Sequence, residues 1–182
     1  MKLPESELRD AAAMARVSVD SYRAAHRDQI PEASLMQFTY EESERNWARA
    51  IGELSASDER QEYIYVAENE EGRIIGVAMG GPERSRHPLY RGEIYFLYLL
   101  PEHHRRGIGR QLTVQMVERL VEQGMDSLLI RVLTANALAR WFYERLGGQL
   151  VPDVEEQIEE RGAVLDLVAY GWREVSQLLH SR

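Results

Sequence analysis

Residues 101–110 read PEHHRRGIGR, set between an apolar, aromatic run, EIYFLYLL, and an amphipathic one, QLTVQMVERLVEQG. A period-two pattern that changes to a helical one across a proline, a His and Arg cluster and a Gly-x-Gly specifies a strand–turn–helix unit. Where a strand feeds straight into a helix, the first-turn N–H groups have no internal partner. The aligned peptide dipoles leave roughly half a positive charge at that end, which stabilises an anion there. Gly107 and Gly109 carry no Cβ, so a phosphate can approach the main chain. Arg105, Arg106 and Arg110 add mobile positive charge around it. The stretch therefore reads as a pyrophosphate cradle, although a plain helix start with a solvated basic cluster would use the same residues. It is not a P-loop, because no Gly-Lys-Ser/Thr follows, and it is not a dinucleotide fingerprint, because the position of the third glycine, 112, is leucine.

The chain has 182 residues, 44% of them hydrophobic, enough for one core rather than two, so a single domain over residues 1–182 is expected. A formal net charge of −8 argues against nucleic acid and anionic membranes as partners and favours cations such as amines. With no cysteine, disulfides, thiolate metal sites and a cysteine acyl-enzyme are excluded. His87, His103 and His104 lack the spacing to complete a coordination shell, so no metal is expected. No apolar run approaches the roughly 18 residues of a membrane span, and MKLPESELRD lacks the apolar core of a secretory signal. The expected location is the cytoplasm.

Leu8, Ala12, Ala15, Val19 and Tyr22 recur at helical spacing over residues 6–27, with Ser6 as N-cap, and residues 41–54 repeat the pattern through Trp47, Ala50, Ile51 and Leu54. RDQIPEASLMQF between them is a Pro-interrupted but packed connection. EYIYVAENEEGRIIGVAMG predicts a hairpin turning at Asn69–Gly72. Residues 81–92 are a loop by composition, and beyond residue 107 the expected order is helix, strand, helix and two strands around Gly162. Trp47, Trp141 and Trp172 are assigned to packing. The acidic run Asp153, Glu155, Glu156, Glu159 and Glu160 is a solvated strand edge and turn, or an attractor for a cationic amine. This alternation gives a mixed α/β domain.

Two blocks carry a family resemblance. His104-Arg105-Arg106-Gly107-Ile108-Gly109 resembles motif A of the GNAT superfamily of acyl-CoA-dependent N-acetyltransferases, Gln/Arg-x-x-Gly-x-Gly/Ala, with His104 departing at the first position. NALARWFYERLGG is similar to the superfamily's Asn-x-x-Ala-x-x-x-Tyr-x-x-x-Gly signature, with Asn136, Ala139, Tyr143 and Gly147 in register. The likeness covers about residues 60–170 well and the N-terminal helices more loosely.

The resemblance implies a largely antiparallel twisted sheet with splayed central strands and helices on both faces. It implies acetyl-CoA as acyl donor, an amine as acceptor and a possible homodimer. Main-chain groups of Leu97, Tyr98 and Leu99 would hold the pantetheine arm, residues 105–110 the pyrophosphate, and Asn136 the cofactor, although Asn136 also suits a helix N-cap. Tyr143 would be the general acid, its phenol having an ordinary pKa of about 10; as a bare sequence feature it is also an aromatic on a helix face. Glu93 stands at the general-base position of the histone-acetyltransferase branch. Alternation puts it on one strand face with Tyr95, Leu97 and Leu99, where an acid must be paired or sit beside a pocket; an exposed strand edge is the other reading. Some relatives carry an acid five residues before the Asn, and here that position is Arg131. The function expected is acetyl transfer from acetyl-CoA to a primary amine by direct attack in a ternary complex. The alternatives are a non-catalytic acyl-CoA sensor and a nucleotide-phosphate binder.

Overall fold

The computed structural model describes residues 1–57, 59 and 61–180. Ala11, Met14, Ala15, Ser18, Val19 and Tyr22 are all buried, and they form the inward stripe of helix α1, Ala11–His26. The predicted start of this helix is not used. Residues 2–6 run beside the first strand instead, with Lys2 bridging Glu68 and the Ser6 N–H donating to the Ile64 carbonyl at 3.0 Å. That commits Ser6, leaves Leu8 in a 3-10 turn with 62% exposure, and turns Ala12 outward. The Pro-interrupted connection is packed, as expected: it contains the short helix α2, Glu32–Met36, and sets Ile30 and Leu35 against Tyr22. Helix α3, Tyr40–Ser55, is capped by the Thr39 hydroxyl, which accepts the Glu42 N–H at 3.2 Å. Trp47 on α3 donates its indole N–H to the Ser18 hydroxyl at 3.0 Å, tying α3 to α1.

The hairpin forms from β1, Tyr63–Glu68, and β2, Ile74–Pro82, with the Asn69 side chain accepting the N–H groups of Glu71 and Arg73. Then follow β3, Gly92–Leu99; α4, Ile108–Glu122; β4, Leu128–Leu133; α5, Ala137–Arg145; β5, Gln149–Glu160; β6, Ala163–Trp172; and α6, Ser176–His180. The six strands lie in the order β1-β2-β3-β4-β6-β5. Every pairing is antiparallel except β3 with β4, the two strands that α4 connects. Leu112, Met116 and Leu120 of α4 are buried against one face of the sheet, and α1 covers the other, with α3 packed on α1 and reaching Phe96 of β3 through Trp47. Each such burial contributes about 1.5–3 kcal/mol.

The central strand departs from simple alternation. A Cβ on Gly92 would touch Leu120 at 3.2 Å, and a Cβ on Gly76 would touch both Leu99 and Leu112 of α4. Positions 92 and 99 thus face the same helix, which an odd spacing permits only if the strand slips once. The register does so at Tyr95, passing from Gly80↔Ile94 to Met79↔Phe96. This bulge corrects the sequence reading: Leu97 and Leu99 lie on the α4 face, whereas Glu93 and Tyr95 lie on the opposite one. Pairing of β3 with β4 also ends early, after Gly92↔Leu128, Glu93↔Leu129 and Ile94↔Ile130. The central strands part from there.

Close packing locks α5 to β6. Gly147 ends the helix at φ +84, and a Cβ on Gly148 would lie 2.6 Å from the Trp172 ring and 2.9 Å from the Tyr143 carbonyl. Gly148→Ala is expected to cost about 1–3 kcal/mol by overpacking and to lower Tm by about 2–4 °C per kcal/mol. Differential scanning calorimetry checks this, and an unchanged Tm would show that Trp172 moves aside freely.

Candidate active site

The parted strands open a cavity of about 1170 Å³. That exceeds the roughly 300–1,000 Å³ of a site for one small ligand. Leu97, Tyr98 and Leu99 line one side of the slot, and Arg131, Val132 and Leu133 the other. Beyond Ile94, β3 keeps its partner β2 but has lost β4, so main-chain groups on that edge are available to an extended ligand.

The turn after β3 forms one end. Gly107 is the N-cap of α4 at φ +78, and it offers no side chain to satisfy the first-turn N–H groups. Arg105 is also left-handed, at φ +59, an uncommon state for a residue with a Cβ. His104 donates its Nε2–H to the Leu99 carbonyl at 2.9 Å, so it fastens the turn to the end of the strand. Arg105, Gly107, Gly109 and Arg110 line the cavity; Arg106 does not, and Ile108 is buried in the core. Gly109 has a packing reason as well, since a Cβ there would press on Phe142 at 3.3 Å.

Helix α5 supplies the wall beside this turn. Asn136 caps it, its side-chain oxygen accepting the Ala139 N–H at 3.1 Å, and also lines the cavity. Tyr143 is 6% exposed and lines the cavity, with its ring against Phe142, Tyr170 and Trp172. Its hydroxyl has no hydrogen-bond partner among the described residues. Burial pushes its pKa above the ordinary value, so the phenol holds its proton at neutral pH. Trp47 and Trp172 are packing residues, but Trp141 is not: it is 56% exposed at the cavity rim, with Arg145 over its ring.

On the other side of the sheet, Glu93 does not reach the cavity. It is 0% exposed beneath two arginines that do. Its Oε1 accepts from Arg84 at 2.7 Å and Arg131 at 2.8 Å, and its Oε2 from the Arg84 N–H and Nε at 3.1 and 3.2 Å. Arg131, 12% exposed, also donates to Glu83 at 2.9 Å and to the Ser85 hydroxyl. Burial works against ionisation of Glu83, but bonds from Ser85, His87 N–H and Arg131 outweigh it and lower its pKa to about 2. The Arg84 guanidinium lies 4.2 Å over the Tyr95 ring. Nothing in the sequence singled out Glu83 or Arg84, because a loop reading by composition gives no sign of where a loop folds back. His87 packs on Tyr90 and does not line the cavity. Among the described residues no cluster of three His, Cys, Asp or Glu could hold a metal ion, and no helix is long and apolar enough to cross a membrane. The side chains of Asp153 and Glu155 lie outside the described residues. Arg131→Met would leave Glu83 and Glu93 buried without their shared partner. The expected loss is about 3–5 kcal/mol in urea unfolding, and a loss below 1 kcal/mol, roughly that of a surface pair, would contradict the network's importance.

Comparison with known proteins agrees with this geometry. Residues 21–148 match the family model for the acetyltransferase (GNAT) family. An uncharacterized N-acetyltransferase, YuaI, of Bacillus subtilis is 33% identical over 175 residues, covering 96% of this chain and 94% of its own. A mycothiol acetyltransferase of Rhodococcus opacus is 26% identical over 152 residues, spanning 80% of this chain and 50% of that protein. Among solved structures, PaiA N-acetyltransferase from Thermoplasma acidophilum in complex with coenzyme A superposes with TM-score 0.73 at 14% identity, covering 94% of this chain and 98% of the other. The Salmonella typhimurium acetyltransferase yncA with acetyl-CoA gives TM-score 0.67 at 19% identity, covering 100% and 95%. The family match over residues 21–148 and the relative 33% identical along nearly its whole length show that the chain belongs to the GNAT acetyltransferase family.

Proposed function

We propose that this acetyltransferase moves acetyl from acetyl-CoA to a primary amine by direct attack within a ternary complex. The observation that carries the reading is the position of Tyr143, a protonated phenol with no partner among the described residues, lining the same cavity as the cradle and the slot. The cavity suits the donor: unsatisfied amides and Arg105 and Arg110 at one end for a diphosphate, and the unpaired edge of Leu97–Leu99 for an amide-bearing arm. The main-chain N–H groups at the start of α4, with the side chains of Arg105, Arg110 and Asn136, hold the donor, which when bound supplies an activated thioester. Main-chain donors at the split steady the carbonyl oxygen as it gains charge, a contribution of several kcal/mol in such sites. Tyr143 donates its proton to the departing sulfur.

The attacking amine must lose a proton, because an alkylammonium has a pKa near 10.4. Glu93 is the base in this proposal, and it acts by exchanging one of its four donors for the amine or a bridging water. The four contacts favour a second reading, in which Glu93 anchors Arg84 and Arg131 and thereby shapes the acceptor end. A pH profile distinguishes them. For a base, Glu93→Gln removes the acid limb of kcat/KM; for an anchor, it lowers the plateau and the Tm while the limb persists.

Tyr143→Phe is expected to lower kcat by about tenfold or more, the lower range for proton transfer, with acetyl-CoA affinity by calorimetry nearly unchanged. Full turnover in that variant would remove Tyr143 as the acid. A protein that binds acetyl-CoA but acetylates no amine in a broad panel would instead be a sensor.

A further inference from the structure

The donor reading uses the glycine turn, the Leu97–Leu99 edge and Tyr143, and it leaves unassigned the end of the cavity lined by β5 and α1. There β5 presents Glu156, Ile158 and Glu160 along one face, so the wall reads acid, apolar, acid. At about 3.3 Å per residue, the two carboxylate-bearing positions stand about 13 Å apart. Glu156 is beside the strand split, 3.6 Å from Arg131 Nε, and its side chain is 50% exposed. Glu160 lies at the distal end against Tyr22.

The charges there do not cancel. Arg84 and Arg131 are offset by Glu93 and Glu83. Arg161, which follows Glu160 in the chain, gives its Nη groups to Glu42 and approaches Glu160 through Nε at 3.6 Å. His26 also lines this end, but burial lowers its pKa, so the ring is neutral at pH 7. Tyr22 has its pKa pushed up to about 12, first by burial and then by the Glu160 charge, so that carboxylate acts on the cavity wall. A second, independent feature points to a ligand. Ser21 lines the same end at 8% exposure, and its buried hydroxyl has no partner among the described residues. Buried hydroxyls are ordinarily paired, and a ligand N–H would pair this one.

We infer that the acceptor is a dication, a primary amine with a second positively charged group at the other end of an apolar chain. Its reacting nitrogen sits near Glu156 at the split, its chain lies on Ile158 and the Tyr22 ring, and Glu160 holds the distal cation. An anionic acceptor would meet two carboxylates and no uncompensated cation among the described residues of this end.

The inference rests on the acetyl-transfer reading, and the test separates the two. Acetyl-CoA consumption is measured with α,ω-diaminoalkanes of increasing chain length and with the matching monoamines. Diamines should be preferred in kcat/KM by about fivefold, the upper scale of one part-exposed charge pair, with an optimum chain length. Glu160→Gln should erase most of that preference, and Glu160→Asp should move the optimum to a longer chain. Monoamine turnover equal to diamine turnover, or a preference untouched by Glu160→Gln in a variant with wild-type Tm, overturns the dication and leaves acetyl transfer standing. Absence of turnover with every amine, in protein shown by calorimetry to bind acetyl-CoA, overturns both.

Discussion

The site exists because β3 and β4 stay together for only three residue pairs. Strands that run parallel through the centre of a sheet normally satisfy each other's main-chain groups along their length. Here the bulge at Tyr95 bends β3 just where pairing with β4 stops. On the β4 side, Arg131 follows the last paired residue and turns its guanidinium toward Glu83 and Glu93. The result is a sheet continuous at its base and open at its top. That opening converts a packed core into a passage between the two layers of helices.

The buried charges around Arg131 explain how the split is held in one shape. Desolvating two carboxylates and a guanidinium costs about as much as their attraction returns, so such a cluster is weak evidence for stability as such. What it does provide is fixed geometry. Glu83 belongs to the loop after β2, Glu93 to β3 and Glu156 to β5, and the one side chain of Arg131, on β4, reaches all three acids. The loop is further shaped by Glu83 accepting from Ser85 and His87 of its own turn. A misplacement of any one strand would strand a charge away from water, a penalty of several kcal/mol.

Other residues serve two ends at once. Gly109 would open the helix start to a diphosphate in the proposed reading, and it lets Phe142 of α5 sit against α4. Asn136 caps α5 and faces the cavity. Tyr143 packs on Tyr170 and Trp172 while its hydroxyl has no partner among the described residues. Because packing fixes these groups, the proposed donor site needs little reordering, which reduces the cost of binding.

The strand–turn–helix at residues 92–122, the hairpin around Asn69, the α5 cap and the order of the remaining elements were legible in the chain itself. Each depends on spacing or turn chemistry within a dozen residues, which a linear reading captures. The start of α1 was not, because Ser6 is committed to Ile64 across the sheet. The face of Glu93 was not, because one bulged residue reverses an alternation. Nor was the role of Glu83 and Arg84: the bond from Arg131 to Glu83 spans 48 residues, and Trp141 reads as core until the helix is docked. Local pattern determined which elements form and where the helix mouth lies. Only the folded sheet decided where the strands separate, which charges meet and which carboxylates share their arginine with other acids, because those depend on contacts between segments distant in the chain.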